Sequence, residues 1–222
     1  MQTLETELWN AWQRLCTDLQ VGAPHVSNSF QLFVTRYSEP HRAYHTLAHI
    51  KDCLEQFALV RHLCEDPLAV ELAIWFHDLI YDVPPRENEV RSGESLLDFA
   101  QEAHLPFTTS VVAHKCVLAT AHAHEAGFPD AHIMVDVDLS ILGRSWDVYE
   151  TYTKQIRKEY AVVPDVFYRH KRKQIMEKFL QSVCEKGLYH TDMFRSLYEA
   201  QAKQNLEREI PTLSLFSSLF IE

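Results

Sequence analysis

Leu72-Ala-Ile-Trp-Phe-His77-Asp78-Leu-Ile-Tyr81 is an apolar run interrupted by two adjacent polar groups. Burying an aspartate costs several kcal/mol unless something pairs with it. A metal ion would offset that burial; the bland alternative is a hydrogen-bonded imidazole with Asp78 at a solvent edge. Around this stretch, apolar residues recur at helical spacing, broken by single turn signals and not by paired strand runs. Asp66-Pro67 opens the segment with proline at a first helical position, and Pro84-Pro85 denies it further amide donors. The pattern predicts an all-α chain with helices at about 2–20, 27–37, 44–64, 67–82, 87–104, 108–124, 130–142, 146–161, 165–186 and 192–207. Residues 132–139 also alternate as a strand would. Helix is preferred there because Asp130 and Gly143 suit its two ends and no second strand run is evident to pair with it.

The composition narrows what the chain does. With 222 residues, and 46% of them hydrophobic, it can bury a core, and one domain spanning 1–222 is expected. Five scattered glycines leave no Gly-rich phosphate loop, dinucleotide fingerprint or nucleophile elbow. Net charge is −10, which disfavours nucleic acid and anionic membrane as partners. The acidic start Met1-Gln-Thr-Leu-Glu5 does not resemble a secretory signal, and five widely spaced cysteines without a C-x-x-C pair suggest reduced thiols, so a cytoplasmic location is expected. The apolar tail Ser214-Leu-Phe-Ser-Ser-Leu-Phe-Ile-Glu222 suits docking on the body or on a second subunit, which permits a homodimer.

Thirteen histidines are the anomaly in this composition. His45 and His49 stand four residues apart, on one face if the helix already runs there, with His41 extending the row. In Val135-Asp136-Val137-Asp138, only one carboxylate can face a given way. His114 and His122 could share a face of another helix with His124 nearby, and these three are candidates for a second metal site. Residues 154–178 hold eight bases against three acids. Arg157 and Arg172 are the candidates to clamp phosphoryl oxygens, although a solvated helix face accounts for the run as well. Glu89, just after the His-Asp segment, could orient a substrate; a capping role explains it almost as well.

The order His49, His77-Asp78, Asp138 resembles the HD superfamily of metal-dependent phosphohydrolases, helical domains named for the adjacent His-Asp pair. "YHTLAH" (44–49), "WFHDLIYD" (75–82) and "DVDLSILG" (136–143) together resemble a bacterial group described as predicted HD-superfamily phosphohydrolases. The likeness extends through "NEVRSGES" (88–95), "IRKEY" (156–160) and the helix of Arg172, covering about 30–207. It implies an HD-type helical bundle with extra C-terminal helices, on which the N-terminal helix and the tail pack. It further implies His49, His77, Asp78 and Asp138 as ligands of a divalent ion such as Mn, Fe, Zn, Ni or Mg, with Asp78 also placed to bridge to a second ion. By similarity to the cyclic-nucleotide phosphodiesterases, His45 would be the general acid and Asp138, not Asp136, the distal ligand. Thr46 departs from the asparagine of that motif, and cyclic nucleotides are not the leading substrate. The expectation is cleavage of a phosphate ester or anhydride in a small, nucleotide-like substrate. A noncatalytic nucleotide or metal sensor and an HD-type di-iron oxygenase are the rivals.

Overall fold

The computed structural model describes residues 3–121 and 127–214. Among these residues there are helices and turns but no strand, and no helix is long and apolar enough to cross a membrane. They divide into two compact units, Met1–Asp138 and Leu139–Glu222.

The first unit is a bundle of seven helices: α1 (Leu4–Asp18), α2 (Ala23–Tyr37), α3 (Leu47–Val60), α4 (Pro67–Phe76), α5 (Asn88–Glu102), α6 (Phe107–Ala119) and α7, whose span Pro129–Leu139 ends at the division between units. Helix α4 is apolar on nearly every side, and seven of its ten residues are buried, so neighbours must surround it. Trp75 and Phe76 lie edge-on or tilted against Trp12, Phe33 and Phe99 from α1, α2 and α5. The start of α4 is tied down by polar groups. Asp66 caps it by accepting from the Ala69 amide and also accepts from the Thr109 hydroxyl of α6. Asp130 sits inside the first turn of α7 instead of capping it, and its carboxylate accepts from the Glu65 and Asp66 amides, at 2.8 Å each. The strand-like alternation in 132–139 belongs to this helix: Ala131, Ile133, Met134, Val135 and Val137 are all buried, so apolar residues are wanted on several faces at once.

The second unit holds a 3-10 turn (Ser140–Gly143), α8 (Trp146–Glu159), α9 (Asp165–Glu185), the short α10 (Asp192–Phe194), a π-helical turn (Arg195–Glu199) and α11 (Ala200–Thr212). Met176, Leu206 and Leu213 form an apolar core with Phe179, Leu180, Val183 and Ile210. Asn205 of α11 donates to the carbonyls of Leu142 and Arg144, satisfying acceptors that the turn leaves unpaired. Gly143 is required there, because a Cβ would come within 2.3–2.8 Å of Tyr198.

Candidate metal centre

Two helix ends in the first unit bring the chemistry together. Helix α3 starts at Leu47, three residues later than the spacing suggests, because extended Thr46 is its N-cap and accepts from the Ala48 amide. His45 therefore stands before the helix and His49 within it, with ring centroids 5.5 Å apart. Helix α4 ends at Phe76, well short of the prolines. His77 keeps helical angles as its C-cap and Asp78 lies in the turn beyond. That turn is imposed from outside the segment. The Arg42 guanidinium donates to the carbonyls of Asp78 (2.7 Å) and Leu79 (2.9 Å). Ser92 and Asn88 accept the Ile80 and Asp82 amides.

Arg42 is a clamp whose side chain is wholly buried. Besides those carbonyls it donates to the carbonyl of His45 and pairs with Glu39, while the rings of Tyr37 and Tyr81 lie 5.0 and 5.3 Å from its guanidinium carbon. It joins the backbone of the proton-donor candidate to that of the His-Asp pair. The sequence analysis missed it; its only signal was its place three residues before His45.

The donor atoms converge. His49 Nε2 is 3.1 Å from His77 Nε2, and Asp78 Oδ2 is 3.1 Å from His77 Nε2 and 3.6 Å from His49 Nε2. Asp138 Oδ1, from the last turn of α7, is 3.6 Å from both imidazoles. Asp136, two positions earlier and so on another side of α7, is fully buried. Metal–ligand bonds of about 2.1 Å give polyhedron edges of about 3.0 Å in an octahedron and 3.4 Å in a tetrahedron, close to these separations.

Hydrogen bonding orients the His77 ring. His77 Nδ1 lies 2.9 Å from the Ile74 carbonyl, which can only accept, so Nδ1 carries a hydrogen and Nε2 is the nitrogen turned toward the other donors. Burial lowers the pKa of His77, but the Asp78 and Asp138 carboxylates outweigh it and push the value well up. Burial, then the positive charge of His77 and His45, brings His49 down to about 4. Burial alone would raise Asp78, yet His77 and His45 hold it well below the usual carboxylate range.

Access is one-sided. The side chains of His49 and His77 are 1% exposed, whereas His45, Asp78 and Asp138 are 14–17% exposed. The His45 ring packs between Tyr44 and Tyr81 with its Nε2 3.8 Å from Asp78 Oδ2.

Cys53 joins the cluster, which the sequence analysis did not foresee. His49, Cys53, His77 and Asp138 each bring one donor atom to within 4.8 Å of the others, a group that does not include Asp78, which contacts it through His77 and His49. The sequence signal was available: Cys53 follows His49 by four residues on a helix, hence on the same face. Burial, then the nearby aspartates, raises its pKa well above the ordinary thiol value.

The remaining candidates lie elsewhere. His114, on α6, faces α5 so closely that a Cβ on Gly93 would come within 2.8 Å of its ring, and it is not in the metal-capable group found among the described residues. His122 and His124 lie outside the described residues. Glu89 is in the first turn of α5, while its neighbour Asn88 carries the loop contacts, exchanging hydrogen bonds with the backbone of Asp82. Arg157 donates to the Tyr160 and Val163 carbonyls, pairs with Asp165 and lies over the Tyr168 ring, pinning the α8–α9 loop. Arg172 is buried and bidentate on Glu209, with its third nitrogen on the Tyr152 hydroxyl. The guanidinium groups read as phosphate clamps thus have structural partners inside the second unit.

No protein-family model, curated protein or solved structure matches this chain.

Proposed function

We propose that the chain is a metal-dependent phosphohydrolase of the HD type, acting on a small phosphate ester or anhydride. What carries this reading is the convergence of His49, His77, Asp78 and Asp138, with His77 Nδ1 held by the Ile74 carbonyl and its Nε2 facing the other donors. A divalent ion held by these four residues would supply Lewis acidity, making water nucleophilic near neutral pH and polarising a phosphoryl oxygen.

The protein's own groups have distinct roles in this reading. His77 is oriented by its Nδ1 hydrogen bond, and Arg42 fixes the backbone of both His45 and Asp78. His45, on the more exposed side, donates a proton from Nε2 to the leaving oxygen, while Asp78 beside it stabilises the protonated ring. The buried sides of His49 and His77 exclude water from the far wall.

The test is release of p-nitrophenol from mono- and bis-p-nitrophenyl phosphate by protein loaded in turn with Mn²⁺, Fe²⁺, Zn²⁺, Ni²⁺ and Mg²⁺. We expect metal-dependent turnover that falls about 10²–10⁴-fold in His45→Ala with metal retained. Bound metal and tight nucleotide binding without turnover would replace the enzyme by a noncatalytic sensor.

A further inference from the structure

We propose that Cys53 is an additional ligand to the ion held by the His/Asp cluster, and that its sulfur makes the site select a borderline or soft transition ion over Mg²⁺. The inference rests on the metal-site reading above and adds to it the identity of the ion.

Geometry carries the argument. Helix α3 sets Cys53 one turn beyond His49 on the same face, with the residue 1% exposed. Its Sγ lies nearly equidistant from the two His49 ring nitrogens, 3.6 Å from Nε2 and 3.7 Å from Nδ1, and within 4.8 Å of a donor atom of each of His49, His77 and Asp138. Of the three buried cysteines, Cys53, Cys16 and Cys116, it alone belongs to a metal-capable group found among the described residues.

The chemistry follows from that donor set. Mg²⁺ binds oxygen in near-ideal octahedra and loses water reluctantly, whereas two imidazoles and a thiolate suit Zn²⁺, Fe²⁺ and Co²⁺. As the metal–sulfur bond forms, the thiol proton leaves to the solvent, so uptake of the ion by this donor releases one proton. The null alternative is that Cys53 fills the core as a small apolar group.

Cobalt separates the two. Metal-free, full-length protein is titrated with Co²⁺ and its spectrum recorded, alongside Cys53→Ser. A near-ultraviolet thiolate-to-cobalt charge-transfer band is expected in the wild type and is expected to be absent from the variant, with Zn²⁺ affinity falling about tenfold or more and Mn²⁺ affinity much less. Visible cobalt bands without the charge-transfer band, and with Zn²⁺ affinity unchanged by the substitution, would overturn the role of Cys53 and leave the His/Asp site standing. Failure of the wild type to bind Co²⁺ or Zn²⁺ at all would overturn both. The wild-type spectrum decides even if the variant does not fold.

Discussion

In residues 139–222 the buried cation Arg172 meets Glu209 through two parallel hydrogen bonds, and Tyr149 and Tyr152 take the remaining capacity of the pair. In residues 3–138 the buried polar groups instead point at one another: two imidazole nitrogens and two carboxylate oxygens stand 3.1–3.6 Å apart around a common centre. The first network closes on itself and needs nothing further. The second gathers two imidazoles and two carboxylates whose donor atoms lie at separations typical of the ligands of one metal ion. Burial of charge therefore does not by itself mark a candidate functional site; what distinguishes the two units is whether several ligand-type donor atoms converge on one place.

Substitutions should divide along the same line. His77→Ala and Asp78→Ala are expected to abolish metal retention, measured by elemental analysis of purified protein, and with it any turnover. Stoichiometric metal in either variant would break the comparison, because the imidazole and carboxylate groups of the second network would then not be the ones that hold the ion. Glu209→Gln strands a buried guanidinium and should cost about 3–5 kcal/mol in urea unfolding while metal content is unchanged, whereas the double replacement Arg172→Met with Glu209→Leu should recover most of that loss.

A pH series on metal-free protein sharpens the contrast. His49 falls from its ordinary 6.5 to about 4 on folding. Below about 6.5 the unfolded chain takes up this proton before the folded one does, so stability is lost as pH falls toward about 4, by up to about 3 kcal/mol. His77, raised by its carboxylates, acts in the opposite sense, contributing stability at low pH that disappears as pH rises through its folded value. The His49 contribution is the difference between wild type and His49→Gln, and identical acid limbs for the two proteins would refute it. Smallest is Arg157→Ala, expected to cost about 1–2 kcal/mol by freeing the α8–α9 loop. A raised KM for phosphate esters without that loss of stability would instead support the phosphate-clamp role.

Much of the fold was legible because helical periodicity is a local property. The start of α4 follows from Asp66-Pro67, and α9, expected over 165–186, spans Asp165–Glu185. The division between the two units was not legible, since it falls at the end of α7 and no Pro- or Gly-rich linker marks it. Leu79, Ile80 and Tyr81 resume the apolar run after His77-Asp78, so periodicity extended the helix to 82. The segment turns at His77-Asp78 because groups distant in sequence take its backbone: Arg42 lies 36 positions from Asp78, and Ser92 lies 12 from Ile80. In the basic run, composition counted charges but could not see that Arg172 had Glu209 37 residues away.

The sequence by itself determined that this chain is helical, that it carries His and Asp residues in a spacing suited to a divalent ion, and that His49 and Asp138 lie on helices, because residue order sets the face of a helix on which a side chain lies. Only the tertiary structure decided that Asp138 meets both imidazoles, that Cys53 stands beside them, that Arg42 locks the turn and that Arg172 is internally paired. Those outcomes depend on through-space partners far apart in the chain, and no local pattern encodes which of several buried polar groups will meet one another.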